Sequence, residues 1–152
     1  MERIESFKVN HDLLLPGVYV SRIDGNITTY DLRFIKPNTP PFLPNPVMHT
    51  IEHLFATYSR NSAYSEKVVY FGPMGCRTGF YFLVKDMDRK TALCLIKDVV
   101  LQCLNHVGEI PGNTRTECGN YLEHDLEGAK KALFDYYNVL KDKTIDNLEY
   151  NI

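Results

Sequence analysis

Residues 47–61 read VMHTIEHLFATYSRN, and the spacing of their apolar side chains predicts an amphipathic helix. Five prolines between Pro37 and Pro46 exclude regular structure just before this segment. The opposite side of the helix then faces water, a cleft or another subunit. The stripe that would pack on a core consists of Val47, Ile51, Leu54, Phe55 and Tyr58.

His49 and His53 fall on that opposite side, one helical turn apart, and Glu52 lies on its flank. Two imidazoles at positions i and i+4 can reach one metal ion, and the carboxylate can then reach a ligand on that ion. Ordinary surface histidines can show the same spacing. The glutamate of the H-x-x-E-H pattern nevertheless favours metal-assisted chemistry with its own proton carrier.

A catalytic metal needs a third protein ligand and an open coordination position. Cys118 lies in a loop beside Gly119, whereas Cys76 lies in a tight turn beside Arg77, whose charge favours the reactive thiolate. We therefore predict Cys118 as the ligand and Cys76 as the reactive group, although free cysteines are usually small buried hydrophobic residues. The candidates that the spacing leaves open are His11, His106, His124, Cys76 and Cys118.

Alternating polar and apolar residues predict four strands around this helix. Segments 18–23 and 27–34 are separated by the turn signal Asp24-Gly25-Asn26 and predict a β-hairpin. Segments 67–71 and 79–85 predict two further antiparallel strands, joined by a glycine-containing turn.

Two more helices follow the predicted strands. Asp88 is expected to cap a helix over residues 89–107 that ends at Gly108. A last helix presents leucines from Leu126 to Leu140 on one face, and a polar tail follows it. The pattern of elements predicts an α+β fold in which helices pack on a mainly antiparallel sheet of about four strands.

A chain of 152 residues is the length of one domain, and we expect a single domain over residues 1–152. The net charge of −2 gives no electrostatic reason to expect nucleic acid or an anionic membrane as a partner. No apolar run is long enough to span a membrane, and the N-terminus lacks the regions of a signal peptide. We therefore expect a cytoplasmic protein whose four cysteines stay reduced.

Arg33 interrupts a predicted strand, and Ser6 and His11 lie in a polar N-terminal stretch. A charged residue on a strand is typically exposed to solvent, and polar terminal residues typically lie in loops. By themselves, these three residues carry no signal of function.

Six segments together resemble the S-ribosylhomocysteine lyase family, also called LuxS, in family order over nearly the whole chain. One segment alone would carry little weight, but six at family-like spacings are specific. The segments are Ser6-Phe7 with His11, 31–34 with Pro37-Asn38, 49–54, 73–81, Cys118-Gly119 and 126–130.

The resemblance implies a cytosolic homodimer with two active sites at the subunit interface. Each site would hold one divalent metal, Fe²⁺ in the native enzyme and often Zn²⁺ or Co²⁺ in preparations. The family's roles then fall on these residues: metal ligands His49, His53 and Cys118; the acid/base pair Glu52 and Cys76; and the substrate-pocket residues Ser6, His11, Arg33 and Arg60.

The family cleaves the thioether of S-ribosylhomocysteine to homocysteine and 4,5-dihydroxy-2,3-pentanedione. The diketone is the precursor of the quorum-sensing signal autoinducer-2, and the reaction also serves methionine metabolism in the activated methyl cycle. An unactivated thioether breaks only after the sugar carbonyl has moved from C1 to C3, with a Lewis acid to stabilise negative charge. By resemblance, Cys76 would carry protons for the isomerisations, and Glu52 for the remaining shifts and the β-elimination.

The chain departs from the family pattern at two places. Many members have Asp-x-Ser before the Pro-Met-Gly-Cys turn, where this chain has Tyr70, Phe71 and Gly72. An acidic group near the amino acid end of the substrate is therefore missing. Asn10 also stands where aspartate is common, which removes a charge but keeps a hydrogen-bonding side chain.

Two other functions share parts of the pattern. An inverted-zincin metallopeptidase also has H-x-x-E-H with a glutamate base, but such enzymes are typically much larger and use a downstream glutamate as third ligand. A small interaction module with a closed structural metal site would usually contain more cysteines and would not need Glu52.

Overall fold

The computed structural model describes all residues from Met1 to Ile152. One four-stranded antiparallel sheet has the order β1-β2-β4-β3, so the strands of the two predicted hairpins meet at β2 and β4. The predicted α+β fold is thereby confirmed. The strands are β1 (Gly17–Asp24), β2 (Ile27–Arg33), β3 (Val68–Pro73) and β4 (Gly79–Lys85).

Four helices accompany the sheet. Asp88 caps the third helix as predicted, because its side chain accepts a hydrogen bond from the Thr91 backbone N–H. Short 3₁₀ turns at Ser65–Lys67 and Ile145–Asn147 complete the regular structure. The helices are α1 (Glu5–Lys8), α2 (Asn45–Arg60), α3 (Arg89–Leu104) and α4 (Leu126–Leu140).

The hydrophobic core lies between one face of the sheet and helices α2, α3 and α4. Strand residues that alternate in sequence, such as Tyr30, Leu32, Phe80 and Phe82, are fully buried in it. The predicted apolar stripe of α2 enters the same core, with Tyr58 at its edge. One side of α2 is therefore fixed, and its histidines are directed away from the core.

The other face of the sheet carries no long helix. Tyr70 is exposed, while Tyr81 and Leu83 are partly buried on this face. The exposed side chain of Ile4 lies beside them in the N-terminal segment. This open face of the sheet (Ile4, Tyr70, Tyr81 and Leu83) therefore presents apolar and aromatic surface on a single chain.

Local expectations failed at four places. Helix α2 begins at Asn45, two residues before the predicted start, because Pro46 is tolerated in the first turn of a helix. Helix α3 ends at Leu104 instead of 107, since Asn105 caps it and Gly108 adopts positive φ three residues later. The N-terminal stretch contains the short helix α1 rather than loop alone. The polar tail packs on the domain: Leu148 is fully buried, and its carbonyl accepts a hydrogen bond from the Val20 N–H.

The expectation that Arg33 faces solvent is wrong. Its side chain lies on the sheet face opposite the core, as the alternation requires, but only 3% of it is exposed. Asp31 on the same face is also buried and pairs with it. Other segments of the folded chain bury the side chain of Arg33, and the periodicity of a strand does not encode such contacts.

None of the helices combines the length and hydrophobicity that a membrane crossing requires.

Candidate metal centre and thiol cavity

Helix α2 and the long loop between α3 and α4 bring two histidines and one cysteine together. Cys118 Sγ lies 3.4 Å from His49 Nε2 and 3.9 Å from His53 Nε2. The cysteine is 69 and 65 residues away from the histidines in sequence. The histidine face of α2 is thus covered by a loop of its own chain.

Backbone carbonyls orient both imidazole rings. His49 Nδ1 donates a hydrogen bond to the Glu123 carbonyl at 2.7 Å, and His53 Nδ1 donates to the Pro111 carbonyl at 2.8 Å. A carbonyl can only accept, so each neutral ring carries its proton on Nδ1 and presents the Nε2 lone pair to Cys118. Carbonyl partners of this kind are typical of histidines that bind metals.

His124 joins the same group, although the sequence prediction did not choose it as a ligand. The ligand atoms of His49, His53, Cys118 and His124 all lie within 4.8 Å of one another. The ring of His124 stacks on that of His49 at 4.0 Å between centroids, and its Nε2 is buried without a hydrogen-bond partner. Burial, together with the nearby His49 and His53, lowers the pKa of His124 to about 4.

The donor set fits a divalent metal of the iron-to-zinc series. Imidazole nitrogens and one thiolate suit these borderline ions, whereas Mg²⁺ and Ca²⁺ require oxygen ligands. The buried Nε2 of His124 has no protein partner, which a nearby cation or its ligand would supply. The structure therefore supports a metal-binding group at this place.

Glu52 lines an open cavity next to this group. The cavity has a volume of about 510 Å³ and is bordered by His49, Glu123 and the turn from Pro73 to Gly75. The carboxylate is half-buried, so it remains accessible to a molecule in the cavity. We call this space the metal cavity.

Cys76 lines a second cavity on the other side of the same turn. This thiol cavity has a volume of about 300 Å³, and Ser6, His11 and Arg33 border it. His11 is held there by a hydrogen bond from its Nδ1 to the Val9 carbonyl at 2.8 Å. Within one chain, the predicted site residues therefore divide between two cavities that share Pro73, Met74 and Gly75.

The cation next to the thiol comes from a strand and not from the flanking residue. The Arg33 guanidinium lies 3.9 Å from Cys76 Sγ and donates to Thr78 Oγ1 at 2.8 Å. Arg77 instead stacks its guanidinium over Phe42, 5.9 Å from the ring centroid, and borders the metal cavity. Arg77 itself adopts a positive φ of 59°.

Glycines lie opposite Arg33 on both neighbouring strands. The register partners of Arg33 in the sheet are Gly17 on β1 and Gly79 on β4. A Cβ at Gly79 would lie 2.3 Å from the Leu32 carbonyl oxygen. Glycine is therefore required at this position, and no side chain crowds the ion pair from β4.

Arg60 is separate from both cavities. It ends helix α2, and its guanidinium donates to the Val68 and Val69 carbonyls at 3.4 and 2.9 Å. These contacts connect α2 to strand β3. Within one chain, Arg60 therefore does not join the other predicted site residues.

The chain is an α+β domain with a histidine–cysteine group that could hold a metal ion beside an open cavity. The sequence profile of the S-Ribosylhomocysteinase (LuxS) family matches residues 4–147. The chain belongs to this family.

Curated relatives agree with the family match over almost their whole length. The chain is 48% identical to an S-ribosylhomocysteine lyase of Finegoldia magna, with 99% of each chain covered. Lyases of the same name from Clostridium beijerinckii and Borreliella burgdorferi are 45% and 44% identical, again with 99% coverage of each chain. No comparison supports the metallopeptidase alternative.

Proposed function

We propose that this protein is an S-ribosylhomocysteine lyase that uses all 152 residues as one metal-dependent domain. The observation that carries the proposal is the family match over residues 4–147, which makes the protein a carbon–sulfur lyase. The products are homocysteine and 4,5-dihydroxy-2,3-pentanedione. Migration of the sugar carbonyl and cleavage of the thioether both require proton carriers. Glu52 and Cys76, which can carry protons, border the two cavities.

The metal is held by His49, His53 and Cys118, and it supplies Lewis acidity at the sugar oxygens where negative charge develops. We propose Fe²⁺ as the native ion, with Zn²⁺ or Co²⁺ as substitutes. The carbonyls of Pro111 and Glu123 support this assignment, because they hold both Nε2 lone pairs toward one point.

Glu52 moves protons on the metal-cavity side of the sugar. Its carboxylate is half-buried and lines the metal cavity together with His49. It takes the proton from the carbon next to the C3 carbonyl, the C–S bond breaks with its electron pair leaving on sulfur, and the protonated carboxyl returns the proton to the homocysteine thiolate.

Cys76 moves protons for the carbonyl migration. The thiolate form is the base, and the Arg33 guanidinium lies 3.9 Å from its sulfur. Thr78 Oγ1 lies 3.0 Å from the sulfur and offers a hydrogen bond. Ser6, His11 and Arg33 bind the substrate from the same cavity.

Two copies of the chain form the complete active site. The separation of Cys76 and Glu52 into two cavities, together with the open face of the sheet, supports this assembly. Arg60 contributes to substrate binding only across such an interface. Sedimentation should give a molecular mass of about 35 kDa for the dimer, twice the 17.5 kDa of the chain.

Mixing two variants tests the shared site. His11→Ala and Glu52→Gln are each impaired, but refolding them together should restore about a quarter of the wild-type activity, since half of the dimers then contain one intact site. A mixture no more active than its components would place both residues in a site from one chain.

The product diketone cyclises to autoinducer-2, and homocysteine returns to methionine metabolism. We place the reaction in the cytoplasm, where free thiols persist. The four unpaired cysteines, one of them a proposed ligand and another a proposed base, support this location.

Release of a free thiol from S-ribosylhomocysteine tests the function directly. The purified protein should produce homocysteine, detected with a thiol reagent, and a chelator should abolish the release until metal is restored. A metal-loaded dimer that releases no thiol from this substrate would overturn the proposal.

A further inference from the structure

The C-terminal tail reaches the thiol cavity through a chain of hydrogen bonds. The Tyr150 hydroxyl donates to Asp31 Oδ2 at 2.6 Å. Directly before Tyr150, the tail is fixed by the buried Leu148 and by an ion pair between Glu149 and Arg89. The phenol is thus held by its neighbours and is not a loose end of the chain.

Tyr150 is a permanent donor in this position. Burial raises its pKa, and the adjacent Asp31 carboxylate raises it further, so the phenol keeps its proton at any physiological pH. Its ring stacks on Tyr19 at 4.8 Å, which holds the hydroxyl toward the carboxylate. The hydroxyl of Tyr19, in contrast, donates to the Leu15 carbonyl at 2.8 Å.

Asp31 is shared between Tyr150 and Arg33. Arg33 donates to both carboxylate oxygens, at 3.1 Å through Nε and at 2.7 Å through one terminal nitrogen, and the second distance involves the oxygen that Tyr150 also contacts. The other terminal nitrogen of Arg33 is directed at Cys76 and Thr78. The guanidinium of Arg33 therefore contacts the carboxylate of Asp31 on one side and the thiol of Cys76 on the other.

A buried ion pair adds little net stability, because desolvation offsets the attraction between the charges. The side chains of Asp31 and Arg33 are only 1% and 3% exposed, and they lie outside the hydrophobic core cluster. The pairing with Asp31 matters more for the positive charge that Arg33 presents to the sulfur of Cys76. The hydroxyl of Tyr150 donates to Oδ2 of the same carboxylate, and a hydrogen bond to a carboxylate oxygen offsets part of its negative charge.

We propose that Tyr150 is a positioning residue that acts through Asp31 and Arg33 to favour the thiolate of Cys76. With the hydroxyl in place, more of the Arg33 charge is available to the thiolate. Without it, the full charge of Asp31 opposes the thiolate through the same guanidinium. This role rests on the proposed function of Cys76, but the state of the thiol can be measured without turnover.

The other groups around Cys76 stay constant in the test. Arg33 and Asp31 on β2, Tyr81 on β4 and His11 in the N-terminal segment are the charged or titratable groups that face it. Tyr150→Phe changes none of them and keeps the ring that stacks on Tyr19. Tyr19→Phe is the matched control, since it removes from the same stack a hydroxyl that donates to the Leu15 carbonyl and not to Asp31.

The experiment measures the rate at which iodoacetamide alkylates Cys76 in metal-loaded protein as a function of pH, with the peptide identified by mass spectrometry. Cys76 is exposed, and only its thiolate reacts. In Tyr150→Phe, the midpoint of the pH profile should rise by at least roughly 0.5 pH unit. In Tyr19→Phe it should stay at the wild-type value.

A second variant should shift the midpoint of the alkylation profile in the opposite direction. Asp31→Asn removes the opposing charge, so its midpoint should fall below that of wild type. A purely structural role for the tail would loosen the cavity in both variants and would not give opposite shifts. If Asp31→Asn does not fold, Tyr150→Phe against Tyr19→Phe still decides, and equal midpoints in a folded Tyr150→Phe protein overturn the proposal.

The pH profile of kcat separates this proposal from the proposed function. If Cys76 is the proton carrier, kcat in Tyr150→Phe should follow the alkylation profile to higher pH. An alkylation shift without a kcat shift would leave the role of Tyr150 intact and would remove Cys76 from the rate-determining proton transfer.

Discussion

The metal cavity and the thiol cavity lie on two sides of the turn from Pro73 to Gly75, and they are built differently. Beside the metal cavity, His49 and His53 come from one helix and are oriented by backbone carbonyls. In the thiol cavity, Cys76 depends on the Arg33 side chain from another strand, which in turn depends on Asp31. The pairing of the two histidines is therefore encoded by local spacing, whereas the surroundings of Cys76 depend on long-range side-chain contacts.

The largest expected effect concerns metal content. Cys118→Ala and His49→Ala should each lose nearly all metal, because a two-ligand remainder binds weakly, whereas Cys76→Ala should keep it. Elemental analysis of the purified variants measures this. If Cys118→Ala kept its full metal content and Cys76→Ala lost its metal, Cys76 and not Cys118 would be the metal ligand.

Turnover should separate the cavities next. Glu52→Gln and Cys76→Ala should both fold and retain metal, yet lose ~10²–10⁴-fold in kcat, the usual contribution of one acid/base group. Exchange of the substrate C2 proton with solvent, followed by NMR, distinguishes them. Glu52→Gln should still exchange and Cys76→Ala should not, so undiminished exchange in Cys76→Ala would contradict the assignment.

A smaller effect is expected for His124, which shares the group but was not predicted as a ligand. His124→Asn should lower metal affinity by roughly 10–100-fold, as changes next to bound metals commonly do. Competition with a chelator of known affinity measures it, and His11→Asn in the other cavity is the control. Equal affinities in both variants would confine the metal group to His49, His53 and Cys118.

The smallest effect concerns the loop that orients His53. His106 Nε2 donates to the Glu109 carbonyl at 2.8 Å, so its Nδ1 accepts from the Tyr58 hydroxyl at 2.7 Å and anchors the loop to α2. Tyr58→Phe should speed metal loss only a few-fold, since one neutral hydrogen bond contributes ~0.5–1.5 kcal/mol. Tyr64→Phe, at an exposed position, serves as the control. Identical rates of metal dissociation in Tyr58→Phe and in the wild type would show that this hydrogen bond is not needed to keep the loop in place.

Much of the fold followed from local patterns. The four strands lie within a few residues of the predicted segments, because period-two alternation and turn residues are short-range signals. The end of α3 was misplaced by three residues, since Asn105 and not Gly108 ends the helix. The tail was predicted as merely polar because one buried residue, Leu148, is too little to produce a periodic signal.

The candidate site divides in the same way. The sequence by itself determined that His49, Glu52 and His53 share one helical face, since spacing on a helix dictates neighbours. Only the tertiary structure decided that Cys118 and His124 close on that face, and that Arg33, not Arg77, lies next to Cys76. These contacts join residues 43 or more positions apart, and loop paths and side-chain cover set them in ways that no local period records.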